Sequence, residues 1–192
     1  MNENKQMIKV ADDLYDNLAM KVKEMYIVVG NELEDKASYE EVITEYDQYM
    51  QNLLFLMAIA DNNFVDNELS FLQNVYWIKT SFESFFIENY NLLSDELKIK
   101  IKKQLIEYLN NIPAFIKLSV LMDKHCDNLA IINKPTYCQI VFDNLLRLPI
   151  YLEFIDDNVV IEESEMEKVI MAPIRAYYES KHVKFARNRG EN

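Results

Sequence analysis

Glycine occurs only twice in this chain of 192 residues, at Gly30 and Gly190, and proline only four times. A β-sandwich or barrel needs a turn about every 8–12 residues, built largely from these two residue types. Their scarcity excludes that class and leaves long helices joined by few turns. It also removes any glycine-rich phosphate loop. Half of the residues are apolar, which supplies a core and is incompatible with wholesale disorder. The length is that of one ordinary domain.

Apolar spacing places the helices. Met7, Ala11, Leu14, Leu18, Val22, Met25 and Val29 recur at steps of three and four, so they line one face of a first helix that Gly30 stops. Ser38 and Glu41 form a capping-box pattern for a second helix, Tyr39 to Ala60. Asp66 is the expected N-cap of a third, running to about Tyr90. Ser94 opens a fourth, Asp95 to Asn110, and Pro113 a short one ending near Asp123. Pro135 starts another, to Ile155, with a kink or break at Pro149. The last runs from Glu162 to Ser180, bent at Pro173. The expected fold is all-α, a single domain of seven to eight helices.

Charge narrows the functional classes. The formal net charge is −12, and residues 1–78 hold 15 acidic against 5 basic side chains. Such a surface repels nucleic-acid phosphates and anionic lipid, so no nucleic-acid partner is expected. The longest apolar run, Leu53 to Ala60, is far short of a membrane span, which takes about 20 residues. The N-terminal stretch is charged and lacks the apolar core of a signal peptide. Cys126 and Cys138 are too few for a disulfide framework. A cytoplasmic location is therefore expected.

One pattern occurs twice. Leu53–Leu72 and Leu146–Glu167 align at an offset of 95, so that Asp61 meets Asp156, Asn63 meets Asn158, and Glu68 meets Glu163. Each copy is an apolar helix ending in Asp, a polar turn, two apolar residues, and a Glu seven after the Asp. A helix–turn–helix unit used twice implies two pseudo-symmetric hairpins. This pattern resembles the TerB-like domains of tellurite-resistance proteins and the related domain of the co-chaperone DjlA, and the resemblance spans about Met50 to Tyr178. Where that family has Gly after the Asp, this chain has Asn62 and Asp157, and Asn and Asp are the residues that best tolerate the left-handed backbone such a turn uses. The division implied is an N-terminal helical extension (1–48), a TerB-like helical domain (49–180) and a basic flexible tail (181–192).

The paired acids have two readings. Asp at a helix end and Glu in the first turn of the next helix are favoured by capping and by the helix dipole alone. The resemblance implies instead a divalent-cation site, such as one for Ca²⁺, formed by Asp61, Glu68, Asp156 and Glu163. Either turn alone fails as an EF-hand, since Val65 stands at the third ligand position and no Glu follows at the required spacing. A site shared by both turns would bind weakly.

Other chemistry is sparse. Glu179 and His182 match half of a di-iron pattern that requires two such pairs, and only His125 remains. Zinc ligands are too few. His125 and Cys126 are adjacent and diverge on a helix; Cys138 stands near a helix start, which favours a thiolate, but both cysteines are expected as small buried apolar residues. No nucleophile or metalloprotease motif is present, and no enzyme is expected. Tyr76, Trp77, Phe82, Phe85 and Phe86 are expected mostly in the core, but they cannot all face inward from one regular helix, which makes them a candidate recognition patch. The function expected from the resemblance is a protein-interaction module of a bacterial stress or defence system, responsive to a divalent cation and binding a protein partner. The alternative is a helical small-molecule or lipid-binding domain with an aromatic-lined pocket.

Overall fold

The apolar stripe of the first segment folds as α1 (Glu3–Val29), with Ala11, Leu18, Val22, Met25 and Val29 fully buried. The structure is a computed structural model that describes residues 3–75, 89–129, 136–153, 155 and 161–183. Gly30 ends α1 by opening a 3₁₀ turn, Gly30–Glu32. Its small size is required by the Tyr26 ring, which a Cβ at Gly30 would meet at 2.8 Å. α2 (Tyr39–Ala58) begins with the expected capping box: Glu41 N–H donates to Ser38 Oγ, and Ser38 N–H donates to Glu41 Oε2 at 2.7 Å.

α3 (Asp66–Val75) differs from its sequence reading. Val65 is the N-cap, because its carbonyl accepts the first helical N–H, from Leu69 at 3.0 Å; Asp66 is the first helical residue. Residues 76–88, expected to continue this helix, lie outside the described residues, and Tyr90–Leu92 form a 3₁₀ turn. α4 (Asp95–Leu109) is capped by Ser94, whose hydroxyl accepts Leu97 N–H.

Two helices are capped across the fold by acids of other helices. α5 (Ala114–Asn128) has Pro113 at its N-cap, which offers no side-chain acceptor. Glu45 of α2 supplies one, taking Ala114 N–H at 2.6 Å. α5 also runs beyond the expected end at Asp123, keeping Met122 buried and Cys126 half-buried. α6 (Tyr137–Glu153) receives both oxygens of Asp123, one on Tyr137 N–H at 2.5 Å and one on Cys138 N–H at 3.1 Å. Such cross-helix acceptors satisfy the otherwise unpaired N–H groups of a helix start.

α6 and α7 (Ile161–Ser180) run through Pro149 and Pro173 without breaking. The buried residues beyond each proline, Leu152 in α6 and Ile174 and Tyr178 in α7, hold the following turn to the core. α7 ends with His182 at φ 61°, Val183 N–H on Tyr178 O at 3.0 Å and His182 N–H on Glu179 O at 3.0 Å. This is the Schellman arrangement usually closed by glycine, and it places exposed His182 as a helix stop.

α2 is the central element. It packs on α1, α4, α5, α6 and α7, while α1 lies against α5, α6 and α3. The division expected at 48/49 falls inside the unbroken α2, and α1 shares the core of the later helices. Among the described residues there is no strand, and no helix is long and apolar enough to cross a membrane.

Candidate functional site: the first acidic turn and the α4 groove

The first of the two paired turns is fully described, and it is built from backbone requirements upward. α2 stops at Ala58, and the chain reverses through Asn62 at φ 68°, the left-handed conformation that the Asn-for-Gly exchange anticipates. Asp61 Oδ1 accepts Asn63 N–H at 2.7 Å, closing an Asx turn. Glu68, only 4% exposed, reaches back so that Oε2 accepts Val65 N–H at 2.8 Å. That contact places a carboxylate at the positive end of α3. Asn91 pairs with Phe64 as a strand would, accepting its N–H at 2.8 Å and donating to its carbonyl at 2.6 Å.

α4 closes the turn from the other side. Lys102 Nζ donates to Ala60 O at 2.7 Å, and Lys98 Nζ donates to Asn62 O at 3.0 Å. Their spacing of four residues puts both ammonium groups on one face. Lys98 is buried and lies 5.2 Å from the centre of the Tyr90 ring, an arrangement that favours a cation. Tyr90 is itself fully buried, its hydroxyl has no hydrogen-bond partner among the described residues, and burial together with the Asp61 charge pushes its phenol up to about 12.

The second turn begins close by. Ile155 O accepts from Asn67 Nδ2 of α3 and from Asn4 Nδ2 of α1, each at 3.4 Å. Ile155 directly precedes Asp156, which lies outside the described residues, as does the Glu163 side chain in the first turn of α7. The gap from α2 to α3 (Ala58 to Asp66) and that from α6 to α7 (Glu153 to Ile161) stand at the same offset of 95.

As cation ligands, the described pair does not suffice alone. Asp61 and Glu68 each spend an oxygen on a backbone N–H, and the carbonyls of Ala60 and Asn62 already hold ammonium groups. Among the described residues no three His, Cys, Asp or Glu side chains converge as metal ligands. A calcium ion takes six to eight oxygens, so the second turn would have to supply the remainder.

The remaining candidates divide. Tyr76, Trp77, Phe82, Phe85 and Phe86 all lie outside the described residues. Cys138 is fully buried, its sulfur accepts from Ser119 Oγ at 3.5 Å, and burial pushes the thiol well above its ordinary range. Cys138 is thus a neutral core residue, since desolvation outweighs the favourable end of the helix.

Beside the first turn lies a feature that the residue pattern did not single out. Ile99, Lys102, Lys103, Ile106 and Glu107 of α4, with Asn62 of the turn and Met166 of α7, line a shallow groove of about 490 Å³ with mainly apolar walls. Ile99 is 64% exposed on its rim, and Leu92, 83% exposed, precedes the same helix. The signal was present in the sequence as Ile99 and Ile106, seven residues apart among four lysines. Compared with known proteins, the chain matches no family model, no curated protein and no solved structure.

Proposed function

We propose that this chain is a non-enzymatic protein-interaction module, of the kind TerB-like domains supply to bacterial stress and defence systems, acting in the cytoplasm. The observation that carries the reading is the apolar groove between α4 and α7, with Ile99 exposed beside the first acidic turn. Exposed apolar walls rimmed by polar groups are the usual mark of a protein-binding face.

The two hairpins, α2–α3 and α6–α7, are the pseudo-symmetric pair of this reading, supported by their common offset. Superposing residues 50–75 on 145–170 of an experimentally solved structure tests the symmetry; opposed helix directions would end it. A divalent cation enters through one weak site shared by Asp61, Glu68, Asp156 and Glu163. The closeness of Ile155 to α3 supports that arrangement.

The docking claim is tested by comparing proteins retained from the native host by the unaltered chain and by Ile99→Asp. A protein held by the first and lost by the second, at equal thermal stability, supports docking at the groove. Equal retention contradicts it.

A further inference from the structure

Resting on the docking reading above, we infer that the α4–α7 groove takes α4 of a second copy of this chain, each copy seating its helix in the groove of the other. The shape argument comes from the groove. Ile99 and Ile106 stand seven residues apart, about 10 Å along the helix axis, and line one wall with Met166 opposite. Such a trough fits apolar side chains at positions i and i+7 of an entering helix. α4 itself presents that pattern, with Ile99 64% exposed and Ile106 half-buried. A contact in which the same surface serves both copies closes as a two-fold dimer.

The charge argument decides what enters. On the α4 wall, Lys102 is held by Ala60 O, and Lys103 and Glu107 lie 3.9 Å apart with both side chains mostly in solvent. That wall carries both signs and favours neither. The α7 wall is acidic. Between Ile161 and Val169 it has Glu162, Glu163, Glu165 and Glu167 against Lys168 alone, and Glu165, next to Met166, is exposed. An acidic occupant is repelled there and a basic one attracted. α4 is such an occupant: between Leu97 and Glu107 it has four lysines and no acid, and Lys100 and Lys103 are exposed. Lys103, weakly paired within its own copy, can turn to the acids of the other copy's α7.

A second exposed apolar helix face fits less well. Met20 and Ile27 of α1 have the same spacing, but only one exposed lysine, Lys23, stands between them. Exposed Asp16, four residues before Met20, lies on the same face, and the α7 acids repel it. The formal net charge of −12 opposes association of two copies at long range. Screening beyond about 8 Å at physiological ionic strength leaves the local contacts to decide.

Sedimentation equilibrium of the full chain between about 1 μM and 1 mM tests the inference. Dimers are expected to form with rising concentration, and Ile99→Asp is expected to weaken them roughly 10-fold. Lys103→Glu and Glu165→Lys should each weaken the homodimer. An equimolar mixture of the two should recover it, because both α4–α7 contacts of the mixed dimer then join opposite charges. All three positions are exposed, and thermal melts verify that each variant folds. A dimer that Ile99→Asp leaves intact, or a mixture no more associated than its parts, would overturn the inference. A monomer at every concentration would overturn it as well, and leaves the docking reading standing where a host protein is retained by the unaltered chain and lost by Ile99→Asp. A monomer that retains no such protein would overturn both.

Discussion

Lys98 reaches from α4 to donate to the carbonyl oxygen of Asn62, at 3.0 Å, the one residue of the first turn held in the left-handed region. The turn that in sequence looked like a cation site therefore has a cation of its own, a buried ammonium over the Tyr90 ring. Lys98→Met leaves Asn62 O without that donor while keeping the aliphatic stem. The expected loss is about 1–3 kcal/mol in urea unfolding. Lys102→Met, at a half-buried position, costs less. Unchanged stability in Lys98→Met would show that the ammonium is not needed to hold the turn.

Among the described residues the buried hydroxyl of Tyr90 has no hydrogen-bond partner, so removing it should help. Tyr90→Phe is expected to raise stability by about 1 kcal/mol, since an unpaired buried polar group costs that much or more. Denaturant midpoints of the two proteins decide it, and a clear loss would mean that the hydroxyl makes a contact worth keeping.

Alkaline pH should unfold the protein. Burial raises the phenols of Tyr46, Tyr49, Tyr90, Tyr137 and Tyr178, with Tyr90 pushed up to about 12 from 10. A raised pKa means that the unfolded chain loses its proton first. Stability is therefore complete below pH about 10 and falls as pH rises toward and beyond 12. At the acid end, Glu41 is lowered by its bonds to Ser38. Its small contribution, present above 4.5, is lost as pH falls through its folded value. Tyrosinate absorbance and helical circular dichroism, followed together, should change in one cooperative step above pH 10. Smooth tyrosine titration with the helices intact would contradict the burial.

The two thiols should differ in reactivity. Cys138 is fully buried with its pKa raised, whereas Cys126 is half-buried. A thiol reagent under native conditions is expected to label Cys126 first and Cys138 only on unfolding. Peptide mapping of the labelled protein gives the order, and early labelling of Cys138 would contradict its place in the core.

Calcium binding is expected to be weak, with a Kd of about 10⁻⁴–10⁻³ M. It should be lost on either Asp61→Ala or Asp156→Ala, because each turn alone is short of ligands. Isothermal titration of the three proteins tests this. No saturable binding, or binding that both substitutions leave untouched, would leave these acids as helix-end residues only.

Much of this architecture is legible in the residues, and the misses have physical causes. Ser38 with Glu41 and Ser94 announce their helices because a cap is a local interaction. Asn62 announces its turn because few residues tolerate its backbone angles. Val65 was overlooked as an N-cap because cap preference is read from the side chain, whereas here the Glu68 carboxylate, reaching back from the first turn of α3, serves the N-cap N–H. Glu45 and Asp123 cap helices far along the chain, and no local pattern encodes such a contact. The roles of Lys98 and Lys102 are not legible in sequence, since their partners are backbone carbonyls that become neighbours only when α4 packs on α2. The groove was hidden for the same reason: Ile99 and Met166 meet only in the assembled fold.

The most direct measurement of the docking claim is site-specific photo-crosslinking in the native host, with the reactive side chain at position 99 and, as a control, at exposed Asp13 of α1. The account predicts a discrete protein adduct from position 99 and none from position 13. No adduct at position 99, or the same adducts from both positions, would contradict it.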